Sequence, residues 1–143
     1  MLTPSQAAAV MQSFALVRPH ADRAAAQFYH RLFALDPKLR PLFPADLAEQ
    51  GRKLMQMLGT VVEQLDRLDA VLPGIKALGA RHAGYGAKEA HYDTAGGALL
   101  WTLEQGLGDK FTPEVRTAWI AAYTLIADAM KAAAKAPAKS VAA

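Results

Sequence analysis

The 143 residues carry a formal charge of +3, a hydrophobic fraction of 52% and no cysteine. That length predicts one domain with a substantial core, because chains of this size bury roughly 70% of their unfolded surface. Disulfides and thiolate metal sites are excluded, and the charge excess lies in Lys131, Lys135 and Lys139 of the acid-free segment 131–143, leaving a neutral body without the basic face of a nucleic-acid binder.

Along the chain the pattern is helical almost throughout. Thr3 followed by Pro4, with Gln6 placed to close a capping box, predicts a first helix to about Val17. Pro19 opens a second over 20–35, with Ala24, Phe28, Leu32 and Leu35 on one face. Asp36-Pro37 ends it and begins a short helical turn through Phe43. A long helix is predicted over 47–68, with Leu47, Leu54, Leu58, Val61, Val62 and Leu65 as its apolar stripe. Pro73 starts the next, which stops at Gly84-Tyr85-Gly86. Two more follow over 91–107 and 113–134, the second with Trp119, Tyr123, Ile126, Ala127 and Met130 facing inward. Pro137 ends order, so 1–134 is expected to be the domain and 135–143 a disordered basic tail.

No segment alternates with strand period, and no internal repeat is found. The fold class expected is all-α, with about seven helices. The short element at 36–43 disfavours a simple up-and-down bundle. The N-terminus lacks a basic stretch followed by an apolar core, and no uncharged apolar run approaches the ~20 residues of a membrane span. A soluble, cytoplasmic chain with no membrane insertion is expected.

Alone, His82 in Gly79-Ala80-Arg81-His82-Ala83 says little, because a histidine in an apolar helix is more often a satisfied core residue than a ligand. Its spacing from upstream residues says more. Tyr29 to Phe43 is 14 residues, Phe43 to Gln50 is 7, Gln50 to Leu54 is 4 and Gln50 to His82 is 32. Gln50 and Leu54 share one helical face, and residues at this spacing can lie over the same flat ligand. His82, on the following helix, can approach it from the opposite side.

The chain resembles a globin. More narrowly, it is similar to the single-domain bacterial haemoglobins and to the globin domain of flavohaemoglobins. The segments that carry the resemblance are Phe28-Tyr29-His30-Arg31-Leu32-Phe33, Asp36-Pro37, Arg40-Pro41-Leu42-Phe43, Glu49-Gln50-Gly51-Arg52-Lys53-Leu54-Met55, Leu72-Pro73, Arg81-His82, Tyr85-Gly86, His91-Tyr92, Ala118-Trp119 and Ala122-Tyr123. It covers roughly residues 3–130. It implies a globin fold enclosing a pocket for haem b (iron protoporphyrin IX). His82 would be the proximal iron ligand, its other ring nitrogen donating to a carbonyl or side chain. Phe43 would pack on the porphyrin, Leu54 would wall the distal pocket, and Tyr29 and Gln50 would form the distal polar pair. Lys53 and Arg81 are candidate partners for the haem propionates, or plain surface charges. His20, His30 and His91 read as solvated or capping residues.

The resemblance also implies a function. A donor beside a gas ligand of partial negative charge stabilises it by about 1.5–3 kcal/mol, which slows release roughly 10- to 100-fold. The Tyr/Gln pair thus implies tight, reversible dioxygen binding for carriage or storage, with NO, CO or sulfide as other ligands. The alternative is a nitric-oxide dioxygenase served by an external flavoprotein reductase, since the sequence holds no glycine-rich dinucleotide fingerprint. A sensor module and a haem-free helical domain are further alternatives. In one respect the chain departs from the pattern. In flavohaemoglobin-like globins a tyrosine and a glutamate hold the proximal histidine. Tyr92 matches the tyrosine, but Ala134 occupies the glutamate position and no acid follows Asp128. A more neutral proximal imidazole is expected.

Overall fold

Thr3 begins the first helix as a reciprocal cap. Its hydroxyl accepts from the Gln6 N–H at 3.0 Å, and the Gln6 side chain accepts from the Thr3 N–H at 3.0 Å. In the computed structural model, which describes residues 2–84, 86 and 88–134, this cap opens the first of six α-helices. They are α1 (Pro4–Val17), α2 (Ala21–Leu35), α3 (Leu47–Glu63), α4 (Leu68–Gly84), α5 (Glu89–Leu107) and α6 (Pro113–Ala134). Short 3₁₀ turns at Arg18–His20, Pro37–Leu42, Leu65–Arg67 and Gly108–Lys110 join or extend them. No strand occurs among the described residues, so the fold is all-α as expected. No helix among them is long and apolar enough to cross a membrane. The segment 135–143, where a disordered basic tail is expected, lies outside the described residues.

The helix count differs from the expected seven for a local reason. The element at 36–43 is a six-residue 3₁₀ turn with Pro41 inside it. Proline has no N–H to donate and its ring crowds the preceding turn, so an α ladder cannot propagate there. Two helix starts also move. α4 begins at Leu68 rather than Pro73, which stands inside the helix on its exposed side, where water can take the carbonyl it leaves unpaired. α5 begins at Glu89 rather than at residue 91, because the His91 ring turns back and its Nδ1 accepts the Lys88 N–H at 3.0 Å. His91 is therefore a capping histidine, and His20 and His30 are exposed. Asp46 caps α3 by accepting from the Glu49 N–H at 3.1 Å, and Thr112 caps α6 by accepting from the Val115 N–H at 3.2 Å.

Two apolar clusters result. The larger joins Val10, Phe14, Val62, Ile75, Leu103 and Trp119 with their neighbours. The one polar pair inside it is satisfied: Trp119 Nε1 donates to Ser13 Oγ at 2.8 Å, and Ser13 Oγ donates to the Ala9 carbonyl at 2.7 Å. The smaller cluster centres on Phe28, Tyr29, Leu32, Leu39 and Ala98.

Helix partnerships decide where space remains. α6 takes α1 and α4 along its length, while α2 takes α3 and α5. α3 and α4 follow one another in the chain, yet they lean on different partners rather than on each other. Gly79 is what lets α4 lie against α6. A Cβ there would collide with the Met130 carbonyl oxygen and stand 2.6 Å from Met130 Cα.

Replacing Gly79 by alanine is therefore expected to cost about 1–3 kcal/mol through forced separation of α4 and α6. Gly74→Ala, on the same helix with nothing within 4 Å of the new Cβ, should instead gain about 0.5–1 kcal/mol of helix propensity. Thermal melts of the two variants check this, and equal effects would contradict the close approach.

Candidate functional site

Gly51 brings the first wall together. A Cβ on it would lie 2.9 Å from Ala25 Cβ and 3.9 Å from the Tyr29 ring, so α2 crosses α3 closely at this point. Tyr29 is thereby placed beside Gln50. Its hydroxyl lies 3.5 Å from the Gln50 carbonyl oxygen, at the outer limit of a hydrogen bond. The residue is only 3% exposed. Burial pushes its phenol up to about 12, and a hydrogen bond with the Gln50 side chain partly opposes that rise. Without a metal, Tyr29 is thus held as a neutral O–H, with the Gln50 carbonyl as its acceptor at 3.5 Å.

An aromatic cage surrounds it. Phe43 meets the Tyr29 ring edge-on at 5.5 Å and 68°. Phe33 stacks on it at 6.0 Å and 20°, and Phe28 meets it edge-on at 5.2 Å and 73°. Leu54 packs against the same cluster. Tyr29, Gln50 and Leu54, expected in the distal pocket, and Phe43, expected on the porphyrin face, therefore gather at one place on α2, α3 and the turn between them. Phe33 and Arg40 were not visible as contributors in the sequence. Arg40 donates to the carbonyls of Phe43 at 3.3 Å, Pro44 at 3.1 Å and Ala45 at 3.4 Å, and its guanidinium lies 5.5 Å from the centre of the Phe33 ring.

The second wall is α4. His82 is half-buried near its end, with Nδ1 2.8 Å from the Leu78 carbonyl oxygen. A carbonyl accepts only, so Nδ1 carries the proton and the lone pair of the neutral ring lies on Nε2. This is the tautomer an iron-ligating imidazole needs, with its other nitrogen anchored.

Between α3 and α4 runs a cleft of about 410 Å³. Met57, Val61, Val71, Ile75 and Leu78 supply its apolar walls and Arg81 stands at it. Arg81 and Lys53 are both exposed, and neither forms an ion pair among the described residues.

Tyr92 belongs to the larger core cluster rather than to the smaller one. It is 9% exposed, and its buried hydroxyl has no hydrogen-bond partner among the described residues. Burial raises its pKa, and Lys131 Nζ lies 5.7 Å from its ring centre. Its carbonyl accepts from Tyr123 Oη at 2.7 Å. Ala134, at the position where an acid partner is expected, is exposed. Tyr85 lies outside the described residues.

No group of three or more His, Cys, Asp or Glu side chains suited to a metal ion occurs among the described residues. A metal held at His82 would take its other donors from a ligand that carries them, as haem does. The cleft would suit the apolar body of such a ligand; of the expected site residues Arg81 stands at it, while His82 and Tyr29 are not among its lining.

Comparison with known proteins gives one family and a set of relatives. A model of the globin family matches residues 26–130. The flavohemoprotein of Bordetella parapertussis is 29% identical over 131 residues, covering 90% of this chain and 33% of the relative. That of Bacillus subtilis is 30% identical over 117 residues, covering 80% and 29% respectively. That of Vibrio cholerae is 27% identical over 130 residues, covering 89% and 33%. The chain thus spans about a third of the length of these relatives.

The raised Tyr29 pKa has a measurable consequence for the haem-free protein. The unfolded chain ionises near pH 10 and the folded one near 12, so stability present below pH 10 is lost as pH rises through 12. Urea midpoints measured across this range should fall less in Tyr29→Phe than in the parent. Identical slopes would mean that Tyr29 is not buried. Tyr123 and Tyr92, also raised by burial, set the slope that remains.

Proposed function

The chain belongs to the globin family, and from that premise we propose that it holds haem b between α3 and α4 with His82 as the axial ligand, and binds dioxygen reversibly beside Tyr29 and Gln50. Bound haem would supply a ferrous iron able to take a diatomic gas. The rest is the work of the protein's own side chains. The Leu78 carbonyl holds the His82 ring through Nδ1 and leaves the lone pair on Nε2. Phe43 and Leu54 keep water from the distal side. Lys53 and Arg81 would meet the propionates at the rim, for about 0–1 kcal/mol each at exposed positions.

The observation that carries the reading is the buried Tyr29 hydroxyl beside Gln50, kept protonated by burial, with the Gln50 carbonyl 3.5 Å away at the outer limit of a hydrogen bond. A buried donor whose proton lacks a good acceptor is costly, about 1–3 kcal/mol when wholly unsatisfied. A polar gas ligand would give it a partner. CO is less polarised and would gain less, while NO and sulfide are further candidates.

The flavohemoprotein relatives, whose name joins flavin to haem, favour a second reading. In it NO, dioxygen and one electron give nitrate, with the electron supplied by a flavoprotein reductase. Reversible binding is the better supported, because Ala134 stands at the position that the resemblance assigns to the proximal glutamate and no acid follows Asp128. A cytoplasmic setting suits either reading.

Visible spectra of purified protein, loaded with hemin where needed, reduced with dithionite and then exposed to oxygen, test the proposal. A Soret band that shifts at each step is expected, and His82→Ala should lose haem or hold it weakly. Unchanged haem binding in that variant would remove the ligand assignment. Tyr29→Phe should speed oxygen release by roughly tenfold, the worth of one hydrogen bond. An unchanged rate would mean the hydroxyl does not reach the gas. Nitrate produced over many turnovers with an added flavoprotein reductase would favour the second reading.

A further inference from the structure

Arg40 occupies an unusual position for a cation. It sits on the 3₁₀ turn Pro37–Leu42, forms no ion pair among the described residues, and is only half-exposed. Its donors go to three successive carbonyls, those of Phe43, Pro44 and Ala45. Its face goes to the Phe33 ring at 5.5 Å. Phe43 and Phe33 meet each other edge-on at 5.4 Å and 71°, and both touch the Tyr29 ring. One guanidinium therefore holds two of the three rings that surround Tyr29, one through its backbone and one through its π face.

We propose that Arg40 is the positioning residue of the distal pocket: by clamping the Phe43 backbone and the Phe33 ring, it sets where the Tyr29 hydroxyl points. This inference rests on the proposed distal role of Tyr29 and goes one step behind it. Lysine cannot replace arginine here. A planar fork reaches neighbouring carbonyls while its face lies on a ring, whereas an ammonium is a single compact charge that prefers water. Arg40 touches neither haem nor gas in this account, and its effect on release passes through Tyr29 alone.

The test is a double-mutant cycle on the full-length, haem-loaded protein, reading oxygen release by stopped-flow displacement with CO, with thermal melts alongside. Arg40→Ala is expected to speed release severalfold in the parent and to add nothing in Tyr29→Phe. Arg40→Lys should behave like alanine in release while keeping the charge and most of the stem. It stands in for Arg40→Ala if that variant fails to fold. A purely structural role would lower the melting temperature and speed release equally with or without the Tyr29 hydroxyl, and that result would overturn the proposal. So would release at the parental rate in both Arg40 variants while Tyr29→Phe is fast. If Tyr29→Phe itself leaves release unchanged, or the parent takes up no haem, the distal reading fails first and the role of Arg40 falls with it.

Discussion

Two close backbone approaches decide how far apart the walls of the site stand. At Gly51, α3 is drawn under α2, and at Gly79, α4 is pressed onto the backbone of α6. Side chains ordinarily fill the space between neighbouring helices to crystal-like density. Here each wall is committed elsewhere, so α3 and α4 leave a cleft between them. Its apolar lining remains open, and apolar surface left in water costs about 25 cal/mol per Å². A flat apolar ligand removes that cost, which is a physical reason for the fold to bind one. The two polar groups of the proposed site, Tyr29 on α2 and His82 on α4, are not among that lining.

Those two groups offer complementary atoms. His82 gives its Nδ1 proton to the Leu78 carbonyl, which leaves a lone pair on Nε2. Tyr29 is kept protonated by burial, so it gives a hydrogen bond and takes no charge. On α5, Tyr92 keeps a buried hydroxyl without a hydrogen-bond partner among the described residues and has a lysine ammonium near its ring.

The grouping of Tyr29, Phe43, Gln50 and Leu54 was legible in the sequence because helical geometry converts intervals into faces. Gln50 and Leu54, one turn apart, had to share a side of α3, and Tyr29 and Phe43 do join them in one cluster. The caps at Thr3 and Thr112 were equally readable, since a cap is a local matter of one hydroxyl and one turn. Pro73 misled because it signals a helix start only when its surroundings demand one, and here Leu68 to Leu72 continue the helix backward. Phe33 and Arg40 stayed hidden for a different reason. A guanidinium on a ring and on three carbonyls is a tertiary arrangement with no periodicity to betray it. The His82 partner was foreseeable only as a class, a carbonyl or a side chain, because the choice depends on how far the last turn of α4 is buried.

Pro37, Pro41 and Pro44 fall within eight residues that also include Phe43. Each proline fixes one backbone angle in the unfolded chain as well as the folded one, and a fitting proline lowers the entropy lost on folding by about 0.4–1 kcal/mol. The turn that carries the aromatic wall is therefore largely ordered before any ligand arrives. A ligand entering the cleft has little disorder to quench on that side, so its affinity is spent on contact rather than on freezing a loop. The link from α4 to α5 holds no proline, and Gly86 in it takes a left-handed conformation at φ +96. Ligands of different size would thus meet a preset surface on the tyrosine's side, a fixed gauge against which they are measured.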